Sequence, residues 1–232
     1  MSYASAIIVA AGVGARMTSD TPKQYFLLNG RPILYYTIKN FVKAKLVSEI
    51  VLVISKEFMD SELLHTCIPL GNSSPIKIVA GGKKRQDSVY NGLKSIDEIC
   101  NIVVVHDGVR PFIDPEKIDE TIKMCSEYDG VVVATPAIDT LKEVNNSLIV
   151  KTLNRASIWQ IQTPQTFRRE VLEHAFQKAY KDDFIGTDEA SLVERLGMQI
   201  GVLIGNHKNI KITTQEDISI AEVLINVDNQ GI

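Results

Sequence analysis

Short apolar runs that alternate with amphipathic segments are the feature that most constrains how this chain can fold. Continuous runs of β-branched and other apolar residues indicate strands buried on both faces, and they occur at residues 6–10, 50–54, 76–79, 102–105 and 130–135. Segments with the 3.6-residue spacing of an amphipathic helix lie between them, at 33–44 and 87–96. Another helix is expected after Asp114, a good N-cap followed by Pro115. This alternation predicts an α/β fold with a mostly parallel sheet.

The alternation is interrupted once, by a predicted β-hairpin. Residues 140–144 and 148–153 flank Asn145-Asn146-Ser147, which is typical of an asparagine turn between two strands. A lone two-stranded ribbon is marginal in water, so we expect this arm, at about residues 137–158, to pack on a second copy and form a homodimer.

After the arm the sequence predicts further helices and strands. Helices are expected at 168–179 and 187–196, strands at 200–204 and 210–213, and a final helix that begins with a capping box of Thr213 and Glu216. Since no repeat or linker marks a boundary, we expect residues 1–232 to form a single domain.

The composition excludes several classes of protein. Hydrophobic residues make up 45% and charged residues 23% of the 232 positions, which is ordinary globular usage. No apolar run approaches the roughly 20 residues that span a bilayer, so no membrane association is expected. The formal net charge of -3 gives no general attraction to nucleic acid. The first residues, Met1-Ser2-Tyr3, contain no basic n-region, which predicts a cytoplasmic location.

The three cysteines, Cys67, Cys100 and Cys125, have no C-x-x-C spacing and are odd in number. That pattern argues against a disulfide framework and against a zinc site. We therefore expect all three to be structural residues.

A glycine loop follows the first predicted strand and precedes two spaced cations. Gly12 and Gly14 allow backbone N–H groups to approach phosphate oxygens, and Arg16 and Lys23 supply positive charge. Met17 stands where a third glycine would complete the dinucleotide fingerprint, and no Gly-Lys-Ser/Thr follows as in a P-loop. The loop indicates a nucleoside triphosphate site; the alternative is an ordinary turn with two surface cations.

Polar motifs follow other predicted strands, at the end where ligands of open α/β sheets bind. Asp107 is placed to bind Mg²⁺, and Gly108 would let a ribose lie against the backbone. Gly81, Gly82 and Ser88 would form a lip for a base and phosphates, the alternative being a solvated charged turn.

Three other polar residues near these strand ends are open to simpler interpretations. Arg110 could touch substrate, but an Arg beside a Pro is expected to brace its loop by pairing with a neighbouring carboxylate. His106 is expected to be a packed, hydrogen-bonding residue rather than a base. Lys211 alternates with Ile210 and Ile212, so it would point away from the apolar face of its predicted strand.

A series of motifs in fixed order covers nearly the whole chain: residues 10–17 with 22–24, 81–88, 106–111, 139–140, 154–155, 162–165, 187–191 and 209–213. Together they resemble the 2-C-methyl-D-erythritol 4-phosphate cytidylyltransferases of the non-mevalonate isoprenoid pathway. The resemblance implies a Rossmann-like nucleotidyltransferase domain with a projecting β-hairpin dimerisation arm. It also implies that CTP and methylerythritol phosphate, a polyol phosphate, give 4-diphosphocytidyl-2-C-methyl-D-erythritol and pyrophosphate, with Mg²⁺.

The resemblance also implies residue roles. The catalytic residues would be Arg16, Lys23, Arg155 and Lys211, of which Arg16 and Lys23 stabilise the transition state and the departing pyrophosphate. CTP would contact Ala10, Ala11, Gly12, Gly14, Gly82, Ser88, Asp107 and Gly108, and Asp107 would also support the metal. The acceptor would be bound by Thr140, Arg155, Thr163 and Lys211. Thr140 and Arg155, on the arm, would serve the neighbouring subunit's site.

One position departs from the family pattern, and other functions stay open. Lys208 stands where some relatives carry an acidic residue, which leaves a second carboxylate for Mg²⁺ in question. A ribitol 5-phosphate cytidylyltransferase would share the CTP site and the Thr-Pro-Gln segment. Sugar-1-phosphate uridylyl- or thymidylyltransferases usually separate the Arg from the Pro-Lys pair by more than the five residues found here. A nucleotide sensor without turnover is a further alternative.

Overall fold

The apolar runs form the strands of one large sheet in the computed structural model, which describes residues 4–12, 21–71 and 74–230. The strands are β1 Ala4–Ala10, β2 Leu27–Leu28, β3 Arg31–Pro32, β4 Val47–Ile54, β5 Ile76–Ala80, β6 Ile102–Asp107, β7 Gly130–Pro136, β8 Lys142–Asn145, β9 Leu148–Thr152, β10 Trp159–Arg168 and β11 Ile200–Ile204. The helices are α1 Ile33–Lys43, α2 Glu62–Cys67, α3 Arg85–Leu93, α4 Pro115–Met124, α5 Arg169–Lys181, α6 Glu189–Glu194 and α7 Gln215–Gln230. Single turns of 3₁₀ helix lie at Lys23–Tyr25, Lys56–Phe58 and Arg155–Ser157.

Seven of these strands form a mixed sheet in the order β11-β7-β10-β6-β1-β4-β5. Neighbours are parallel except at β10, which runs antiparallel to both β6 and β7. The predicted α/β fold with a mostly parallel sheet is therefore confirmed. The parallel arrangement brings the carboxyl ends of β1, β4, β5 and β6 to one edge.

Strand β10 was not predicted from the sequence. It carries Pro164 and several polar residues, and proline lacks the N–H that a central strand donates to its neighbours. The pairing of β10 with β7 is irregular between Ile161 and Gln165, so the proline lies where the ladder is interrupted.

The strand predicted at residues 210–213 is wrong. This described stretch is a loop, in which the Ile212 N–H donates to the Val109 carbonyl at 2.9 Å. Ile212 is fully buried against Ile218 and Ala221 of α7, so its apolar character reflects packing on a helix. The capping box of α7 is also shifted by one residue, because the Thr214 hydroxyl and the Asp217 carboxylate exchange bonds with each other's N–H.

The helices cover both faces of the sheet. On one face Ile8 packs with residues of α1 and α4 such as Phe41 and Ile118. On the other face Ile7 packs with residues of α3, α5 and α6, for example Phe176. Alternate residues of β1 therefore enter opposite cores, as expected for a strand covered on both sides.

The predicted hairpin is present as β8 and β9, which form a separate two-stranded sheet. Asn146 and Ser147 adopt positive φ values of 45° and 64° at its tip, as a two-residue hairpin loop requires. Its apolar side chains remain exposed, Leu148 at 72% and Ile149 at 65%.

The cysteines agree with the expectation that all three are structural residues. Cys67, Cys100 and Cys125 are free and buried. Within the described ranges, no helix combines the length and the apolarity needed to cross a membrane.

Candidate active site

A cavity of about 480 Å³ lies at the carboxyl ends of β1, β4, β5 and β6. It brings together eight of the residues predicted for the site: Ala10, Ala11, Gly12, Lys23, Gly82, Ser88, Asp107 and Lys211. Gly14 and Arg16 lie outside the described residues. Gly108, Thr140, Arg155 and Thr163 are not part of the described cavity lining.

The charge of this cavity is opposite to that of the chain as a whole. Of its described lining residues one is acidic, Asp107, whereas the basic ones are Lys23, Lys56, Lys83, Lys84, Arg85 and Lys211. The formal net charge of the full chain is -3. A concave site with this excess of cations attracts and concentrates polyanions.

Gln24 positions the Lys23 segment against the end of β1. Its side-chain amide donates to the Ala10 carbonyl at 2.6 Å, and the Gln24 side chain is buried. Lys23 begins the 3₁₀ turn that carries Gln24. The bond therefore holds the Lys23 turn beside the carboxyl end of β1.

The loop after β5 is held closed by Ser88. The Ser88 hydroxyl accepts from the Gly82 N–H at 3.0 Å and donates to the Lys84 carbonyl at 3.1 Å, which leaves one acceptor position on its oxygen. A Cβ on Gly82 would lie 2.3 Å from the Asp87 Cβ, so only glycine fits there. Helix α3 begins at Arg85, two residues earlier than predicted, with the Asp87 carboxylate accepting from the Lys84 N–H.

Asp107 ends β6 and is surrounded by three cations. Its Oδ1 accepts from Arg85 Nε at 3.1 Å, its Oδ2 lies 2.8 Å from Lys211 Nζ, and Arg110 Nε is 3.7 Å away. Burial alone would raise the pKa of Asp107, but the charges of Arg85, Lys211 and Arg110 outweigh burial and hold the pKa well below its usual value. Asp107 is therefore ionised.

Arg110 and His106 brace the site from behind, as the sequence analysis favoured. Arg110 Nη1 donates to the Asn209 carbonyl at 2.8 Å, which ties the β6 loop to the segment that carries Lys211. His106 Nε2 lies 3.0 Å from the Arg110 carbonyl and Nδ1 lies 3.0 Å from the Thr163 hydroxyl. Burial lowers the pKa of His106 to about 4, so the imidazole is neutral and has both nitrogens in use.

Two of the predicted site residues, Thr163 and Gly108, make structural contacts within the chain. The Thr163 hydroxyl accepts from the Asp107 N–H at 3.1 Å and is buried behind it, so its contact with an acceptor stays a prediction. A Cβ on Gly108 would lie 2.8 Å from the Ala10 Cβ. Packing between β6 and β1 therefore explains this glycine without a ribose.

The arm residues Thr140 and Arg155 are exposed. The Arg155 guanidinium donates to the Ile138 carbonyl within the base of the arm. Neither residue therefore completes the cavity of its own chain.

Glu189 is a buried acidic residue that was not among the predicted site residues. Its oxygens lie 2.7 and 2.9 Å from Arg85 Nη1. The helical spacing of Glu189 with Leu192 and Val193 places a charge on an apolar face. A charged residue on the apolar face of a helix indicates a buried ion pair, so this pattern could have identified Glu189 from the sequence.

A protein-bound metal is poorly supported by the residues of this cavity. Both oxygens of Asp107 already contact cations, and the described ranges contain no group of three or more His, Cys, Asp or Glu that could hold an ion. Lys208 lies in an exposed turn. The arrangement fits a hard cation only if phosphate oxygens and water supply most of its ligands.

A larger cavity, of about 1040 Å³, lies at the opposite end of the sheet beside Cys100 and Cys125. Its arginines are already bonded to backbone carbonyls, Arg168 to Cys125 and Arg169 to Asp97. Acidic side chains nearly balance its basic ones. This cavity therefore lacks the excess of cations that a triphosphate needs.

A mostly parallel sheet, helices on both faces and a cationic cavity at the carboxyl ends of the strands define an α/β protein of the nucleotidyltransferase type. A family model for 2-C-methyl-D-erythritol 4-phosphate cytidylyltransferase matches residues 4–227. The chain belongs to this family, and it is an enzyme of the cytidylyltransferase class.

Individual relatives support the assignment. The protein named 2-C-methyl-D-erythritol 4-phosphate cytidylyltransferase in Clostridioides difficile is 43% identical over 226 residues, which cover 97% of this chain and 95% of the relative. Its namesake in Syntrophus aciditrophicus is 45% identical over 221 residues, which cover 95% and 94%. The crystal structure of 4-diphosphocytidyl-2C-methyl-D-erythritol synthase from Anaerococcus prevotii matches with a TM-score of 0.85 at 33% identity and covers 97% of this chain and 99% of that chain. The resemblance predicted from the motifs is confirmed, and a ribitol enzyme is not favoured.

Proposed function

We propose that this protein transfers CMP from CTP to 2-C-methyl-D-erythritol 4-phosphate in isoprenoid precursor biosynthesis. An oxygen of the acceptor phosphate forms a bond to the α-phosphorus of CTP. The bond from that phosphorus to the α–β bridging oxygen breaks, and pyrophosphate leaves. Besides family membership, the observation that carries the proposal is the cavity in which six described cations face a single described carboxylate.

The reaction needs no general base, and no histidine lines the described part of the cavity. A phosphate monoester has its second pKa near 6, so at neutral pH the attacking group is already mostly dianionic. The imidazole of His106 is buried, bonded at both nitrogens and low in pKa, which agrees with chemistry that does not need it. The barrier is the approach of one anion to another, and positioning and charge neutralisation lower that barrier.

Different side chains of the cavity neutralise charge and position the substrates. Lys23, together with Arg16, neutralises the charge that develops on the phosphates and on the departing pyrophosphate. Lys211 directs the acceptor phosphate, and its ammonium group is held 2.8 Å from Asp107. Ser88 and Gly82 bind the nucleotide at the lip, where the Ser88 oxygen keeps one acceptor position.

We propose Mg²⁺ as the cofactor, bound mainly through CTP. When bound, it would neutralise part of the phosphate charge of CTP. Asp107 is the described cavity residue that could contribute a ligand, and it would have to exchange a cation contact to do so.

We propose that the enzyme is a homodimer in which the arm contacts the partner. The exposed apolar residues of the arm, such as Leu148 and Ile149, support this arrangement. So does the position of Thr140 and Arg155 outside the cavity lining of their own chain, because they can then serve the partner's site. Sedimentation at micromolar concentration tests the proposal, and a monomeric mass would contradict it. The cytoplasmic location and the absence of nucleic-acid and membrane partners stay predictions.

Pyrophosphate release with CTP and Mg²⁺ tests the proposed reaction, with methylerythritol 4-phosphate and ribitol 5-phosphate offered in parallel. Release with the methylerythritol compound alone is the expected result. Release with ribitol 5-phosphate alone would keep the nucleotide site and overturn the acceptor. CTP binding without release with either acceptor would support a nucleotide sensor.

A further inference from the structure

Glu189 is connected to Lys211 by an unbroken series of charged contacts. The Glu189 carboxylate, whose side chain is 1% exposed, holds Arg85 Nη1 at 2.7 Å. Arg85 Nε holds Asp107 Oδ1 at 3.1 Å, and Asp107 Oδ2 holds Lys211 Nζ at 2.8 Å. From this geometry we infer that Glu189 is a positioning residue, which sets the place of the Lys211 ammonium without touching substrate. The inference rests on the proposed role of Lys211 towards the acceptor phosphate.

The first contact fixes the orientation of Arg85. A guanidinium is planar and presents its donors in a rigid geometry, so bonds at both Nη1 and Nε leave little freedom to rotate. Arg85 is 31% exposed and lines the cavity. Without Glu189 it could turn towards a bound phosphate, because nothing else described in the structure holds its Nη1 group.

The second contact fixes the plane of the Asp107 carboxylate. Arg85 bonds Oδ1 and thereby leaves Oδ2 to Lys211 and, at 3.7 Å, to Arg110. If Arg85 turned away, the Asp107 carboxylate could rotate and present either oxygen to Lys211 or to Arg110. The position of the Lys211 ammonium would then no longer be unique.

The placement of Glu189 is itself secured on both sides. Gln165 of β10 donates to the Asp188 carboxylate at 2.7 Å and accepts from the Ala190 N–H at 3.0 Å. One buried amide therefore brackets Glu189 and fixes the first turn of α6 to the central sheet. Packing of α6 does not need a charge here, because a buried ion pair can often be replaced by apolar residues without loss of stability.

The test is a set of steady-state measurements on Glu189→Gln, which keeps the size of the side chain and removes its charge. We expect kcat/KM for methylerythritol 4-phosphate to fall by roughly 10- to 100-fold, because small misplacements of an aligning group have effects of that order. The dissociation constant of CTP, measured by calorimetry, should stay within about threefold of the parent value. Glu189→Asp, which retains the charge, should recover part of the loss.

Glu173→Gln is the matched control. Glu173 accepts from Arg169 at 2.7 Å on α5, beside the opposite cavity. The variant therefore loses a carboxylate–arginine contact of the same length, in a more exposed place far from Lys211. We expect parent kinetics from it.

A double-mutant cycle with Lys211→Met separates positioning from a general structural effect. If Glu189 acts through Lys211, Glu189→Gln should change acceptor kinetics by less than about twofold in the Lys211→Met background. An undiminished effect in that background would overturn the inference. So would parent acceptor kinetics in Glu189→Gln, or a loss of CTP binding equal to the loss of acceptor use. Failure of the proposed function would look different, because the parent enzyme itself would then release no pyrophosphate with this acceptor.

Discussion

Lys23→Ala is the substitution that most directly tests charge neutralisation in the cavity. A unit charge about 4 Å from a phosphate interacts with it by about 1 kcal/mol in water and about 4 kcal/mol at an effective dielectric constant of 20. Lys23 is partly buried at the wall of the cavity. Its interaction energy with a bound phosphate therefore lies between these two values. Loss of one such stabilising group typically costs about 2.7–4 kcal/mol in the transition state, and we therefore expect kcat to fall roughly 100- to 1000-fold.

The assay is steady-state pyrophosphate release with CTP and acceptor varied separately. Because Lys23 acts on charge that develops during the reaction, the change should appear mainly in kcat, and KM for the acceptor should change less. Lys123→Ala is the control, since Lys123 lines the cavity at the other end of the sheet. Unfolding midpoints of both variants should equal that of the parent. A Lys23→Ala enzyme with a folded midpoint and kcat within about threefold of the parent would refute the reasoning.

Three further predictions concern the arm, the core and pH. Arg155→Ala should raise KM for the acceptor by about tenfold or more while CTP affinity is kept. Its control is Lys151→Ala on the same exposed arm, and equal acceptor kinetics in the two variants would count against acceptor binding by Arg155. Phe41→Ala should lower the free energy of unfolding by about 3–5 kcal/mol in urea titrations, because Phe41 is fully buried, and a loss below about 1 kcal/mol would contradict the packing described. Burial raises the pKa of Glu49, but bonds from Ser5, the Asp97 N–H and Lys77 outweigh burial and hold the pKa below its usual value. A pKa lowered by folding contributes stability that is present above the unfolded value and lost as pH falls, so Glu49→Gln should flatten the decline of the unfolding midpoint between roughly pH 5 and pH 3. Parallel pH curves for Glu49→Gln and the parent would contradict this.

The parts of the fold that were predictable share one property. In β1, β4 and β6 burial on both faces demands an unbroken apolar run, and in α1 the buried residues recur with helical spacing. Each of these signals is local. The hairpin was also predictable from neighbouring residues alone, because Asn146 and Ser147 adopt the positive φ values that its turn requires.

The parts that failed depend on long-range contacts. Strand β10 is polar and contains Pro164, and it becomes a central strand only because β6 and β7 bond to it from both sides. Ile210 and Ile212 alternate like a strand, but Ile212 packs against α7 instead of joining a sheet. No pattern within either segment reveals these partners.

The candidate site was predictable to a similar extent. Asp107, at the end of β6, was assigned because parallel strands bring their carboxyl ends together. Lys23 was assigned as a cation that follows the glycine loop after β1. The pairing of Arg85 with Glu189 joins positions 104 residues apart. Only the folded chain reveals it.

The measurement that tests the central claim most directly follows the oxygen atoms of the acceptor phosphate. Methylerythritol 4-phosphate labelled with heavy oxygen in its phosphate is incubated with unlabelled CTP, Mg²⁺ and the enzyme. The products are separated, and their masses are measured by mass spectrometry. If the acceptor phosphate attacks the α-phosphorus, all of the label stays in the diphosphocytidyl product, with one labelled oxygen in the new bridge, and the pyrophosphate carries none. Label in the pyrophosphate, or turnover without a labelled cytidylyl product, would contradict the account.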